Sequence, residues 1–90
     1  MTAAAEPREV RLKRLRMRSM RRGIKEMDLI LMRFADAALD DMSDAELDAY
    51  EALLDESDQD LYAWVSGQQP PPEQHAPLIA HVRSTLEVAR

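Results

Sequence analysis

The sequence predicts an all-α protein, a small antiparallel five-helix bundle. Three observations predict it. Apolar residues recur at spacings of three and four through most of the chain, no stretch alternates apolar and polar residues with period two, and caps or stops cut the chain into helix-length pieces.

Residues 1–7, Met-Thr-Ala-Ala-Ala-Glu-Pro, carry no periodicity and are expected to form a flexible arm, leaving residues 8–90 as the single bundle domain. The first helix is expected from Arg8 to Arg22, with Val10, Leu12, Leu15, Met17 and Met20 among its bases. Gly23 ends it, because glycine tolerates the left-handed conformation that commonly follows a helix. A second helix, about Lys25 to Ala38, presents Met27, Ile30, Leu31, Phe34 and Ala38 as a stripe. Leu29 and Met32 fall off that stripe, so this helix is apolar around most of its circumference and is expected at the centre.

Leu39 to Met42 breaks the pattern, and Ser43 with Glu46 forms a capping box for a third helix that turns Leu47, Tyr50 and Leu54 inward until about Glu56. Ser57 or Asp58 caps a short fourth helix, Gln59 to Ser66, carrying Leu61, Trp64 and Val65, and Gly67 stops it. The loop Gln68-Gln69-Pro70-Pro71-Pro72 is stiff and extended. A fifth helix starts near Glu73 or Gln74, accepts Pro77 early, and buries Leu78 or Ile79, Val82 and Leu86.

Composition removes several classes of function. Ninety residues make one small domain with too little interior for a deep active site of its own. The absence of cysteine removes disulfides, thiolate metal sites and thiol nucleophiles, and fits a reducing cytoplasm best. The longest apolar run, Met27 to Met32, is interrupted by Asp28 and is far shorter than the roughly 20 residues that cross a bilayer, so no membrane insertion is expected. The start lacks the uninterrupted apolar core of a secretory signal; its Arg-rich, acid-poor character imitates a mitochondrial presequence, but removing it would delete the first helix.

The net charge of -5 conceals a division: residues 1–33 hold ten Arg or Lys against four acids, and residues 34–60 hold eleven acids and no base. The two blocks can steer a partner or attract one another within the fold. Arg8, Arg11, Arg14, Arg18 and Arg22 form a row that could meet nucleic-acid phosphates, but the chain is acidic and this region lacks aromatics, so no nucleic-acid partner is expected. The acids from Asp36 to Asp60 do not form an EF-hand loop: counted from Asp58, Tyr62 is fifth and Ala63 is sixth, where an oxygen ligand and a glycine are required. His75 and His81 are six residues apart and do not share a helical face one turn apart, so no metal site is expected. No nucleophile, histidine and acid combination and no phosphate loop can be assembled, so the chain is not expected to be an enzyme.

The element Arg22-Gly23-Ile24-Lys25-Glu26 reads in two ways. Spacing alone explains it as a base ending one helix, a glycine stop, and an acid starting the next. The same corner would also display Arg21, Arg22, Lys25, Glu26 and Asp28 at one tip of the bundle, with Arg18 nearby, as donors and acceptors for a partner. The six methionines, mostly on the first two helices, are read as core filling, with a soft partner-facing patch as the second reading.

Two pieces together carry a resemblance: Arg22-Gly23-Ile24-Lys25-Glu26-Met27-Asp28-Leu29, and Tyr50-Glu51-Ala52-Leu53-Leu54 leading to Asp58-Gln59-Asp60-Leu61-Tyr62-Ala63-Trp64-Val65-Ser66-Gly67. From about Arg11 to Leu86 the chain resembles the FAD assembly factors of succinate dehydrogenase, the SdhE family. The resemblance implies a five-helix bundle that binds the flavoprotein subunit of succinate dehydrogenase or fumarate reductase and promotes a covalent bond between FAD and a histidine of that subunit. It implies a chaperone-like protein that retains no cofactor and is a monomer when free. Arg22, Gly23 and Glu26 match the family's motif, and Asp28 matches an acid found just after it; Met20 stands where the family often has an aromatic residue. The rival reading is a small regulatory or antitoxin-like interaction module unrelated to flavin.

Overall fold

Helices form where periodic apolar residues lie between caps. The structure, a computed structural model that describes residues 6–20 and 23–88, contains α1 (Arg8–Arg18), α2 (Lys25–Ala38), α3 (Asp44–Leu54), α4 (Asp58–Ser66) and α5 (Ala76–Val88). A 3-10 turn, Leu39–Asp41, joins α2 to α3, and the described residues contain no strand. The all-α bundle expected from the periodicity is the fold observed.

The core is organised on α2. Its Met27, Leu31, Phe34 and Ala35 are buried, and the helix packs on both α4 and α5. Leu39 and Met42, in the segment where the periodicity breaks, extend the core past the end of α2. The capping box starts α3 as expected: Glu46 N–H donates to Ser43 Oγ at 3.1 Å and Ser43 N–H to Glu46 Oε1 at 2.7 Å. From α3, Leu47, Tyr50, Leu53 and Leu54 enter the core; from α4 come Leu61, Trp64 and Val65. Ser57 caps α4 by accepting from Asp60 N–H, and Gly67 ends it at φ 86°, the left-handed conformation that glycine adopts without a Cβ clash.

Helix α5 begins at Ala76 rather than at Glu73 or Gln74. Residues 73–75 instead form a turn, with His75 N–H donating to Pro72 O at 2.9 Å and Ala76 N–H to Glu73 O at 3.3 Å. The buried His75 is structural: its Nε2 lies 2.8 Å from Glu56 Oε2 and its ring 5.7 Å from Trp64, joining the α3–α4 junction to the start of α5. His81 packs edge-on to Phe34 at 5.0 Å.

Helix α1 departs most from expectation, stopping at Arg18 instead of Arg22. Its end is set by Ser19, which is fully buried, bonds Leu15 O at 2.8 Å through Oγ, and lies 2.6 Å from Tyr50 Oη. A serine that bonds the preceding turn competes with continued helix, and here it also ties α1 to α3. Of the five apolar residues noted in this helix region, Leu15 is fully buried and Leu12 half-buried, whereas Val10, Met17 and Met20 are exposed.

Charge holds the rest of α1. Arg8 meets Asp44 at 3.2 Å, Arg11 meets Asp48 at 2.5 Å and Glu51 at 3.2 Å, Arg14 meets Glu51 at 2.9 Å, and Arg18 meets Asp55 at 2.6 Å. Because both series ascend together, α1 and α3 lie side by side in the same direction, in register along an ion-pair ladder. On its other flank Arg16 reaches Asp36 and Asp40 at 3.0 and 3.1 Å, and Arg14 also holds Glu6; the rest of the expected N-terminal arm, residues 1–5, lies outside the described residues. Hydrogen bonds from Arg14, and secondarily from Arg11, hold the Glu51 carboxyl below its ordinary value near 4.5 against the opposing effect of burial.

Two predictions follow from these anchors. Tyr50→Phe removes the hydroxyl beside buried Ser19 and is expected to cost about 1–3 kcal/mol in urea unfolding; an unchanged midpoint would mean the tether contributes nothing. Near pH 4.5 the unfolded chain takes up a proton that folded Glu51 still resists, so stability is lost as pH falls from that value toward the lower folded pKa. Urea midpoints measured between pH 6 and pH 3 should therefore fall, and Glu51→Gln should flatten the fall.

Candidate functional site

The α1–α2 and α3–α4 junctions share one end of the bundle. Arg18 reaches Asp55 there, Ser19 reaches Tyr50, and the Gly23 N–H donates to the Asp58 carboxylate at the first residue of α4. Ile24, the residue before α2, packs against the core and makes no side-chain cap. It turns the chain: Met27 and Asp28 both donate their amides to Ile24 O, at 3.0 and 3.1 Å.

At Gly23 the feature that favours glycine is proximity to a side chain, and its backbone is not left-handed. The glycine with a left-handed backbone is Gly67; at Gly23, a Cβ would lie 2.9 Å from Asp58 Oδ2. The expected left-handed helix stop is thus replaced by a close approach between two junctions, and the expected helix end lies earlier, at Ser19.

The candidate partner-binding residues separate into three groups. Gly23, Lys25 and Glu26 are exposed together at the corner, and Lys25 and Glu26 have no hydrogen-bond or ion-pair partner among the described residues. Glu26 lies in the first turn of α2, where the helix dipole favours a negative charge, yet its side chain caps nothing. Asp28, one turn into α2, is half-buried and engaged within the fold. Arg18 lies at the same end of the bundle and is engaged there by Asp55 and Glu51. Arg21 and Arg22 lie outside the described residues.

The row of bases on α1 does not form a free phosphate-binding face. Arg8, Arg11, Arg14 and Arg18 are taken up by α3, and Arg16 by Asp36 and Asp40. The division of charge along the sequence is expressed as attraction inside the fold. No group of histidines and acids suited to a metal ion occurs among the described residues, and no helix there is long and apolar enough to cross a membrane.

Exposed apolar side chains flank the corner. Met20, Leu29 and Met32 are exposed, Leu29 by 61%, and Met20 and Met32 line a shallow groove of about 130 Å³ with Arg16, Ala35 and Asp36. Two methionines, Met27 and Met42, fill the core, whereas Met17, Met20 and Met32 are exposed and depart from the core-filling reading. Sequence reasoning missed Ser19, Tyr50 and Asp58 as determinants of the corner. Tyr50 alone gave a signal, since an inward tyrosine needs a partner for its hydroxyl.

Comparison with known proteins gives a consistent result. A family described as flavinator of succinate dehydrogenase matches residues 13–86. A protein of Mycosarcoma maydis named succinate dehydrogenase assembly factor 2, mitochondrial, is 35% identical over 97 residues, covering 96% of this chain and 41% of its own length. Relatives of the same name are 39% identical in Yarrowia lipolytica, covering 91% of this chain and 60% of that protein, and 51% identical in Meyerozyma guilliermondii, covering 68% and 45%. The chain thus spans about half the length of these curated relatives.

The internal use of the α1 bases has a direct consequence. Passed over immobilised duplex DNA or RNA at low salt, the protein is expected not to be retained; retention that weakens with added salt would mean the ladder opens to phosphate.

Proposed function

The chain belongs to the family of succinate dehydrogenase flavinators, and from that membership we propose that it is an assembly factor that binds the flavoprotein subunit of succinate dehydrogenase and promotes covalent attachment of FAD. The observation that carries this reading is the corner: Lys25 and Glu26 are exposed and unpartnered among the described residues, while Arg8, Arg11, Arg14, Arg16 and Arg18 of α1 are paired within the fold. The exposed Lys25 and Glu26 side chains are available at this tip for a partner.

The chain contributes position, with no catalytic group of its own. Flavinylation requires the target histidine of the flavoprotein and the flavin at near-attack distance, and correct orientation removes several kcal/mol from such a barrier, up to about 7–11 kcal/mol in the best intramolecular cases. A chaperone that binds that arrangement preferentially raises its population and then leaves. The FAD stays with the flavoprotein, and the free assembly factor is a monomer that retains no cofactor. Fumarate reductase, whose flavoprotein presents the same task, is a second client. The compartment is the one in which the flavoprotein acquires its flavin: the cytoplasm in the reading from composition, whereas the curated relatives carry a mitochondrial designation in their names.

Gly23→Arg forces a side chain into the space next to Asp58 and adds bulk at the tip, so it is expected to preserve helical content by circular dichroism yet abolish co-elution with the flavoprotein subunit. Glu26→Ala leaves the backbone unchanged and should weaken the complex by about 1–3 kcal/mol if the carboxylate contacts the partner. Normal binding by both variants would place the contact surface elsewhere, whereas a wild-type protein that does not bind the flavoprotein subunit would favour the regulatory-module reading.

A further inference from the structure

The corner that presents Lys25 and Glu26 is anchored from a distant part of the chain. Gly23 donates its backbone N–H to the carboxylate of Asp58, 35 residues away in sequence. Asp58 is itself held in place. It opens α4, Ser57 fixes that start by accepting from Asp60 N–H at 3.2 Å, and Leu61, Trp64 and Val65 fasten the helix into the core. On the α2 side of the corner, Ile24 supplies no side-chain cap to the helix. A Cβ at position 23 would come within 2.9 Å of Asp58 Oδ2 and so would displace this carboxylate from the amide.

We infer that Asp58 is a positioning residue of the docking corner: its carboxylate fixes the Gly23 amide, and thereby the direction in which α2 presents Lys25 and Glu26. The inference rests on the proposed docking of this corner to the flavoprotein subunit. A tip that is ordered before encounter loses less freedom on binding, so the tether acts on affinity through preorganisation while Asp58 itself need not touch the partner. The carboxylate accepts the amide as a charge-assisted bond, stronger than a neutral one, which explains why an acid serves at this place.

Two substitutions test it, read by three measurements: hydrogen exchange of the Gly23 amide, the thermal midpoint, and affinity for the purified flavoprotein subunit of succinate dehydrogenase. Asp58→Ala keeps the Ser57 cap and should leave most of the protein's amide protection intact, accelerate exchange at Gly23, and weaken binding about tenfold, the loss expected for a hydrogen bond to a charged group. Asp58→Asn retains an oxygen that accepts the same N–H and should restore most of the Gly23 protection and of the affinity. A merely structural role would lower the midpoint without a selective change at Gly23. The proposal is overturned if Asp58→Ala leaves Gly23 exchange or affinity unchanged, or if Asp58→Asn restores the amide but not the affinity, which would make Asp58 a direct contact. If the wild-type protein does not bind the flavoprotein subunit, the proposed function fails with the docking role, while Gly23 exchange still decides whether the tether exists.

Discussion

The ion-pair ladder between α1 and α3 is the constraint on which the rest of the structure depends. Helix α1 fully buries one apolar residue, Leu15, worth about 2–3 kcal/mol. Each exposed pair of the ladder contributes about 1 kcal/mol or less, so no single one holds the helix. Their combined effect is registry: Arg8, Arg11, Arg14 and Arg18 fit Asp44, Asp48, Glu51 and Asp55 in one alignment, and a slip would leave charges unmatched on both helices. The Ser19–Tyr50 contact then closes the ladder at the end where α1 stops.

Registry of α1 fixes the corner that follows it. With Ser19 buried against α3 and Gly23 bonded to α4, the chain enters α2 held on both sides, and Lys25 and Glu26 face outward at a place determined by two other helices. The same ladder makes the tip distinctive by removing its competition. Bases that could have offered a broad phosphate-binding face are neutralised within the fold, and the exposed polar groups at the corner remain. Met20, Leu29 and Met32 add apolar surface beside them. Such a surface is suited to docking a protein.

Much of this was legible in the residues. Periodicity gave five helices, Ser43 with Glu46 gave the capping box, and Gly67 gave a left-handed stop, because each is encoded locally. The end of α1 was not legible. Nothing local distinguishes Ser19 from a solvent-facing serine; its burial is decided by Tyr50, 31 residues on. From sequence Gly23 reads as a left-handed helix stop, whereas in the structure its distinguishing feature is proximity to Asp58. The outward turn of Met17, Met20 and Leu29 was likewise hidden, since whether an apolar residue off the main stripe is covered depends on which helices pack beside it. The charge division read from sequence was a sound clue, with its internal outcome set by the parallel placement of α1 and α3.

The central claim is that this prearranged corner promotes flavinylation by positioning. The most direct measurement incubates purified apo-flavoprotein subunit of succinate dehydrogenase with FAD, with and without this protein, and follows covalent flavin by fluorescence of the denatured subunit in a gel. The account predicts that covalent flavin forms faster with the wild-type protein present. Equal rates with and without it would contradict the account.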